Sequence, residues 1–419
     1  MIVSHDATCT GMTDDKLQPA ALAWTANRSE GLARMTAFTP SMGRHYASLR
    51  NYDLGPDKRG NVSILSPYIR RRLVTEDETV RAALANHSPD EAGKFVQEVF
   101  WRTYWKGWME RRPETWCDYK RGRDTALESR SRQQAKAITA AEEGRTGIDC
   151  FDAWAEELVE TGYLHNHARM WFASIWIFTL RLPWQSGADF FLRHLLDGDP
   201  ASNTLGWRWV AGLHTKGKHY AAQGWNVAKF THQRFHPADL NETAEPLEEA
   251  FDPGDAKPVR DFTRHDPVLP TVLLITDEDC QPETLGLDLS ALRGVVTVQT
   301  SAERSPLPVS EGVMRFDCEA LADVAARVGD GTAMTTPRGR DLADHVRRAG
   351  AAQIVTAFVP QGPTRDWLDG IQPDLTAAGI TLAEVQRDWD RIVWPHASAG
   401  FFKVKKKIPR LIEELGLVP

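Results

Sequence analysis

Residues 162–170 of the chain read Gly-Tyr-Leu-His-Asn-His-Ala-Arg-Met, and they lead directly into the mostly apolar residues 171–180. The spacing predicts one helix that is apolar nearly all round and therefore central to an all-α core. Burying the polar residues at its start without partners would cost about 1–3 kcal/mol each. A second polar stretch, Asp197-Gly198-Asp199-Pro200-Ala201-Ser202-Asn203, supplies such partners. Helix caps and a satisfied core explain one such stretch, but they explain both together poorly.

The helical spacing extends outward from this segment over about residues 88–235. Of the 15 tryptophans in the chain, 11 fall between Trp101 and Trp225. For a single tryptophan the ordinary interpretation is a place in an aromatic core. A cluster of this density also suits a stacked aromatic cofactor.

A polar, acidic and proline-containing stretch at about residues 239–270 has the composition of a linker. Beyond it, helical segments at 339–349 and 366–378 alternate with short β-rich runs at 271–276, 295–300, 332–336, 353–358 and 380–385. This alternation predicts a Rossmann-like α/β domain with a parallel sheet of five strands. No GxGxxG follows the first strand, so a dinucleotide in this domain is unsupported.

The expected organisation is therefore a multidomain α and α/β chain. It consists of an N-terminal extension at 1–35, a helical domain at 36–240, an acidic linker at 241–269 and the α/β domain at 270–419.

Composition bounds the possible classes of function. Hydrophobic residues make up 42% and charged residues 26%, and no apolar stretch of 18 residues or leader-like start is present, so we expect a cytoplasmic protein without a membrane partner. The five cysteines form no CxxC pair, which argues against disulfides, iron–sulfur clusters and metal sites. Residues 1–240 carry a net charge of +3 and residues 241–419 a net charge of −10, so a polyanion should meet the helical domain.

Two further segments of the helical half combine groups with binding chemistry. In the first of them, two hydroxyls stand beside a proline that suits the first turn of a helix: Ser63-Ile64-Leu65-Ser66-Pro67-Tyr68. This pattern is compatible with a phosphate-binding helix start and with an ordinary N-cap. Glu98-Val99-Phe100-Trp101-Arg102 puts a carboxylate and an indole on one helical face.

Taken together, these segments resemble the FAD-contact motifs of the photolyase and cryptochrome family. The similarity covers about residues 35–240 and consists, in the family's order, of Tyr46 and Arg50, Ser63 to Tyr68, Glu98 to Arg102, Gly162 to Met170, and Asp197 to Trp209. The resemblance implies an all-α FAD-binding domain of the photolyase type, in which FAD is held bent. It leaves the presence and identity of an antenna chromophore open.

Residue by residue, the resemblance implies a cofactor-binding set. Its members are Tyr46, Ser63, Leu65, Ser66, Arg102, Asn166, Arg169, Asp197, Asp199 and Asn203. Within this set Arg169 and Asp197 would flank the ring, and Asn203 would face flavin N5. A flavin anion needs a fixed positive partner, and an arginine supplies one at any working pH.

A second set matches the pocket that receives a flipped-out pyrimidine dimer in this family. The catalytic candidates are Glu98, Trp101, Asn166, Met170 and Trp209. Trp101 and Trp209 would stack on the bases, and Glu98 would hydrogen-bond the pyrimidine edge.

For electron transfer, Trp207 and Trp184 match the inner two members of the family's tryptophan chain. The outermost one has no counterpart near Ser131, and Trp116, Trp154 and Trp171 remain open as substitutes.

The chain departs from the family pattern in several places. His167 stands where repair enzymes usually carry arginine, and the family's α/β domain normally comes first. Residues 350–407 resemble the latter part of that domain, which suggests a circular permutation.

The leading hypothesis is a blue-light-driven deoxyribodipyrimidine photo-lyase that acts as a monomer on damaged DNA through the helical domain. The alternative is a cryptochrome-like photoreceptor that binds FAD without repair. Glu98, Trp101 and Asn166 favour repair, whereas His167 and the missing outer tryptophan favour signalling. A flavin-free structural module would leave Arg169, Asp197 and Asn203 without a common purpose.

Overall fold

The structure is a computed structural model that describes residues 24–329 and 331–417. Most of the expected N-terminal extension, residues 1–23, lies outside the described residues, and the first helix already begins at Arg28. The helices of the first half are α1 Arg28–Phe38, α2 Arg44–Leu49, α3 Ser66–Arg70, α4 Glu76–Asn86, α5 Pro89–Glu110, α6 Glu114–Glu128, α7 Arg132–Glu142, α8 Asp149–Thr161, α9 Asn166–Ser174, α10 Trp184–His194, α11 Pro200–Ala211 and α12 Gly224–Phe230.

Local sequence explains where the helices next to the site begin. The longest, α5, starts with a capping box in which Ser88 and Glu91 satisfy each other's backbone, followed by Pro89 in the first turn. At the start of α11 the Asp199 carboxylate accepts the backbone N–H of Ser202 at 2.7 Å. Helix α9 continues through a π-helical turn at Ile175–Thr179, which widens the helix between two functional segments.

The second half alternates strands and helices, as predicted. Its elements are β1 Thr271–Thr276, β2 Gly294–Gln299, α13 Glu311–Val328, β3 Gly331–Thr335, α14 Gly339–Arg348, β4 Gln353–Ala357, α15 Pro363–Ala377, β5 Thr381–Val385, α16 Asp388–Val393, α17 Phe402–Lys405 and α18 Ile408–Glu414. The strands form one sheet in the order β3-β2-β1-β4-β5 with every pair parallel. The predicted five-stranded parallel sheet is confirmed.

Both faces of the sheet are covered, as a parallel sheet requires. Leu273 and Ile275 of β1 point to the face that packs against α13. Val272 and Leu274 point to the opposite face, which α14 and α15 cover. This alternation explains why β1 is buried along its whole length.

The C-terminal segment returns to the helical half. Trp389, Phe401, Val404 and Ile408 are buried in the same apolar core as α5 and α9 to α11. The last thirty or so residues therefore follow the sheet in sequence but belong in space to the helical core.

Buried ion pairs join the two halves. Arg70 pairs with Glu278 at 2.6 Å, Arg71 pairs with Asp317, and Arg72 pairs with Asp390 at 2.7 Å; all six side chains are almost fully buried. Because Arg70 and Arg71 lie in the helical half and Glu278 and Asp317 in the α/β half, these two pairs fix how the halves are docked, whereas Arg72 holds the C-terminal segment on the helical core. Among the described residues, no helix is long and apolar enough to cross a membrane.

Candidate functional site

Asp197 is the centre of the predicted cofactor set. It lies in the buried loop between α10 and α11, where Arg169 Nη2 donates to its Oδ2 at 3.0 Å. Burial alone would raise the pKa of this carboxyl, but Arg169 and Arg102, with a hydrogen bond from Ser66, hold it below its usual value. The structure thus brings together four members of the set from α3, α5, α9 and the α10–α11 loop.

Asp199, two residues further, has a different cationic environment. Its Oδ2 lies 3.5 Å from Lys106 Nζ and 4.0 Å from Arg70 Nε. Burial opposes ionisation, yet Lys106, Arg70 and Arg102 lower the pKa of Asp199 far below its usual value. This carboxylate is therefore charged at every working pH.

Lys106 is a site residue that the sequence analysis did not predict. Its Nζ also lies 3.4 Å from Glu278 Oε2, just beyond strand β1, so it links the site to the α/β half. The available signal was its position four residues after Arg102, which places both on one face of α5.

Glu98 and Arg50 form an ion pair at the other end of the predicted set. Arg50 Nη1 and Glu98 Oε1 are 2.6 Å apart. Desolvation raises the pKa of Glu98 even though Arg50 opposes the shift. Tyr46 is buried against Phe95, and its raised pKa reflects burial first and Glu98 second, which places its hydroxyl close to this pair.

The remaining cofactor candidates lie on these same elements. Ser63 Oγ accepts the backbone N–H of Leu65 at 3.4 Å, across Ile64, whose φ of 45° is in the left-handed region. Leu65 is buried. Asn203 on α11 donates its amide to the carbonyl of Ala188 at 2.7 Å.

The predicted dimer-pocket residues are partly exposed. Trp101 and Trp209 are half-buried, Met170 is half-buried on α9, and Asn166 is exposed at the start of that helix. Trp209 stacks on Tyr220 with ring centroids 5.9 Å apart. One face of Trp101 is covered by Phe401, with centroids 3.8 Å apart and the planes 17° from parallel.

Phe401 is a second residue that the sequence did not reveal as part of this region. It comes from the C-terminal segment and is 300 positions away from Trp101 along the chain. No local pattern predicts such a contact, because it depends on how the two halves dock.

The two predicted electron-transfer tryptophans lie in different surroundings. Trp207 is buried on α11, with its ring against Trp176 at 6.2 Å and Phe191 at 5.2 Å. Trp184 begins α10, donates to Glu249 at 2.6 Å and lies 5.9 Å from Tyr119.

Two buried polar atoms test whether a polar cofactor fits this arrangement. Arg102 Nη1 and Ser202 Oγ are buried without a hydrogen-bond partner in the described part of the chain, whereas Asp199 Oδ2 keeps its ion pairs with Lys106 and Arg70. Buried polar groups normally have partners, so a ligand that supplies donors and acceptors suits these atoms. Two cavities of about 430 and 200 Å³ lie elsewhere, on surfaces lined by Glu156 and Glu160.

Comparison with known proteins finds similar sequences for the same region. Residues 95–240 match the FAD binding domain of DNA photolyase. The deoxyribodipyrimidine photo-lyase of Streptomyces griseus is 36% identical over 171 residues, which are 40% of this chain and 36% of that protein. A Thermus thermophilus enzyme of the same name is 34% identical over 189 residues, 43% of this chain and 42% of that protein.

Solved structures give a weaker likeness. The class III photolyase of Agrobacterium tumefaciens is 26% identical in sequence. The match covers 50% of this chain and 43% of the photolyase chain, with a TM-score of 0.42. The Synechocystis cryptochrome is 23% identical in sequence. The match covers 51% of this chain and 44% of the cryptochrome chain, with a TM-score of 0.43.

The fold and site define a helical FAD-binding domain joined to a Rossmann-like α/β domain. Residues 95–240 are similar to the FAD binding domain of DNA photolyase, and the relatives named above are deoxyribodipyrimidine photo-lyases. It spans only about two fifths of the length of the curated relatives quoted above.

Proposed function

We propose that this protein is a blue-light-driven photolyase that binds FAD in the helical domain and splits cyclobutane pyrimidine dimers in DNA. When bound, reduced flavin supplies the excited-state electron for such a reaction. Arg169, Asp197 and Asn203 hold and orient the ring, while Tyr46, Ser63 and Ser66 hold the diphosphate.

The observation that carries this proposal is the ionised cluster around Asp197 and Asp199. Both carboxylates are buried and are surrounded by cations from α3, α5 and α9, and Arg102 Nη1 and Ser202 Oγ have no hydrogen-bond partner in the described residues. Replacing such a buried charge cluster by apolar residues is often neutral or stabilising, so its presence favours a binding role over a purely structural one.

The proposed dimer site consists of neighbouring residues on α5, α9 and α11. Desolvation raises the pKa of Glu98, and its carboxyl group, oriented by Arg50, would hydrogen-bond a pyrimidine edge. Trp101 and Trp209 offer partly exposed rings for stacking.

The test is a dimer-cleavage assay under blue light with the Glu98→Ala variant. Losing one transition-state contact worth about 1.4 kcal/mol lowers the rate roughly tenfold, while the flavin spectrum stays unchanged. Trp105→Phe on the same helix is the matched control and should retain most activity. Full repair by Glu98→Ala would remove this role, and wild type that keeps reduced FAD yet cleaves no dimer would contradict the proposed reaction.

Two observations favour the alternative of a cryptochrome-like photoreceptor. Phe401 already occupies one face of Trp101, and His167 is stacked on Trp171 at 4.1 Å, with its Nδ1 2.9 Å from the Asn51 carbonyl. If wild type fails to cleave dimers while its FAD is photoreduced, the receptor is the function that remains.

A further inference from the structure

The C-terminal segment carries the densest run of positive charge in the second half of the chain. Residues 241–419 have a net charge of −10, yet five cations occur within residues 403–410: Lys403, Lys405, Lys406, Lys407 and Arg410. The overall acidity of this half therefore says little about this segment.

Packing against the helical core directs these cations outward. Phe401, Val404 and Ile408 are buried, whereas Lys403, Lys406, Lys407 and Arg410 between and beyond them are exposed. Phe401 stacks on Trp101, so the basic run lies beside the proposed dimer pocket.

The cations of this segment are not neutralised. In the part of the chain that the structure describes, none of the five has a carboxylate within ion-pair distance, whereas Lys216 is paired with Asp252 and Lys257 with Glu114. Lys407 Nζ instead lies 2.9 Å from His396 Nδ1. Burial, then Lys407, lowers the pKa of that imidazole, and Arg410 and Arg111 add to the effect while Glu414 opposes it.

An exposed aromatic ring stands among these lysines. Phe402 leaves 73% of its surface exposed, and Lys405 Nζ lies 5.9 Å from the centre of its ring. An apolar ring of this size is normally buried. Rings interleaved with lysines are typical of surfaces that bind nucleic acid, where bases stack on the rings and phosphates meet the cations.

We propose that residues 401–410, the basic segment, form a nucleic-acid contact surface at the edge of the dimer pocket. Its lysines and Arg410 bind backbone phosphates, and Phe402 stacks on a base that is unpaired next to the lesion. Phe401 anchors the segment on Trp101. The inference rests on the proposed function, because it assigns the DNA contact of the same site.

The basic segment is tested by removing its charge in the full chain. The Lys403→Ala, Lys406→Ala, Lys407→Ala triple variant should reduce the slope of log affinity against log salt by roughly 2–3 for duplex DNA. The matched control replaces three exposed cations at the α6–α7 junction, Arg130, Arg132 and Lys136, with alanine and should keep the wild-type slope. Fluorescence anisotropy in the dark measures both.

Phe402→Ala tests the stacking role separately. It should lower affinity for single-stranded or dimer-containing DNA roughly fivefold, with little change for intact duplex. The exposed Val268→Ala variant controls for loss of surface apolar area.

These outcomes separate the surface from the proposed reaction. Flavin content and photoreduction should be normal in every variant, so a colourless wild type contradicts the cofactor assignment alone. A flavin-loaded wild type that binds no DNA at low salt contradicts both proposals, whereas an equal loss of DNA affinity in the two triple variants overturns the basic segment alone. The proposal would also be overturned if the Lys403→Ala, Lys406→Ala, Lys407→Ala variant lost binding to anionic phospholipid vesicles but kept its DNA affinity. That result would indicate a membrane-binding surface.

Discussion

At the scale of single residues, Asp197 and Asp199 divide the work of the site. Asp197 is paired with Arg169 from α9, whereas Asp199 caps α11 and is held by Lys106 and Arg70. Both are ionised despite burial, since each has cations from other elements beside it. The loop between α10 and α11 thus carries two fixed negative charges, and one of them, Asp197, orients the guanidinium of Arg169.

Replacing Asp197 with alanine should weaken FAD retention about tenfold or more. The change removes the carboxylate that orients Arg169 and leaves a mostly buried guanidinium unpaired, which costs more than about 1.4 kcal/mol in comparable buried pairs. The measurement is the ratio of bound flavin to protein and the FAD dissociation constant. Asp252→Ala, which breaks an exposed pair with Lys216, is the control. Unchanged affinity in Asp197→Ala would show that the pair is not at the cofactor.

At the scale of elements, α6, α10 and α11 carry the aromatic rings that surround the proposed electron path. Trp184 of α10 lies 5.9 Å from Tyr119, and Tyr119 lies 5.2 Å from Trp116, both on α6. Trp154 instead stacks on Trp171 at 5.4 Å, in a separate cluster on α8 and α9. Of the three tryptophans that the sequence left open, Trp116 is thus the one in ring contact with a neighbour of Trp184.

Trp116→Phe should therefore slow photoreduction of the flavin at least roughly tenfold, because it removes an oxidisable ring from the row that starts at Trp184. Trp154→Phe is the matched control, since it removes an equally buried indole outside that row. Trp207→Phe should abolish photoreduction. Flavin absorbance under continuous blue light with an external reductant measures all three. A slow Trp154→Phe variant and a normal Trp116→Phe variant would direct the path through α8 and α9.

The helices and strands are the features that the sequence predicted best. Helical and strand periodicity are local, so the helical half and all five strands followed from spacing, with strand ends off by no more than one residue. The ordered motifs predicted Arg169 beside Asp197, which the structure places at 3.0 Å. Lys106 and Phe401 could not be predicted as site residues. Lys106 contacts Glu278, and Phe401 contacts Trp101, and these residues come together only when the chain folds into its tertiary structure.

At the scale of the whole molecule, the two halves share both core and charge. The sheet is followed by a segment that completes the helical core, and the helical half contributes Arg70, Arg71 and Arg72 to carboxylates beyond residue 270. Neither half is a self-contained unit in sequence. This sharing predicts that they unfold together rather than one after the other.

Asp317→Asn tests that coupling, because Asp317 pairs with Arg71 across the interface and with Arg304 within the α/β half. Removing one partner of a buried pair leaves uncompensated charge and should lower the free energy of unfolding by about 3–5 kcal/mol. Urea denaturation measures the loss, and hydrogen exchange in α11 and β1 reports both halves. Asp341→Asn, which breaks an exposed pair with Arg338, should change stability by less than about 1 kcal/mol. If the interface couples the halves, protection from hydrogen exchange should fall together in α11 and β1. A variant that loses protection in β1 while α11 keeps its wild-type protection would show that the α/β half opens independently.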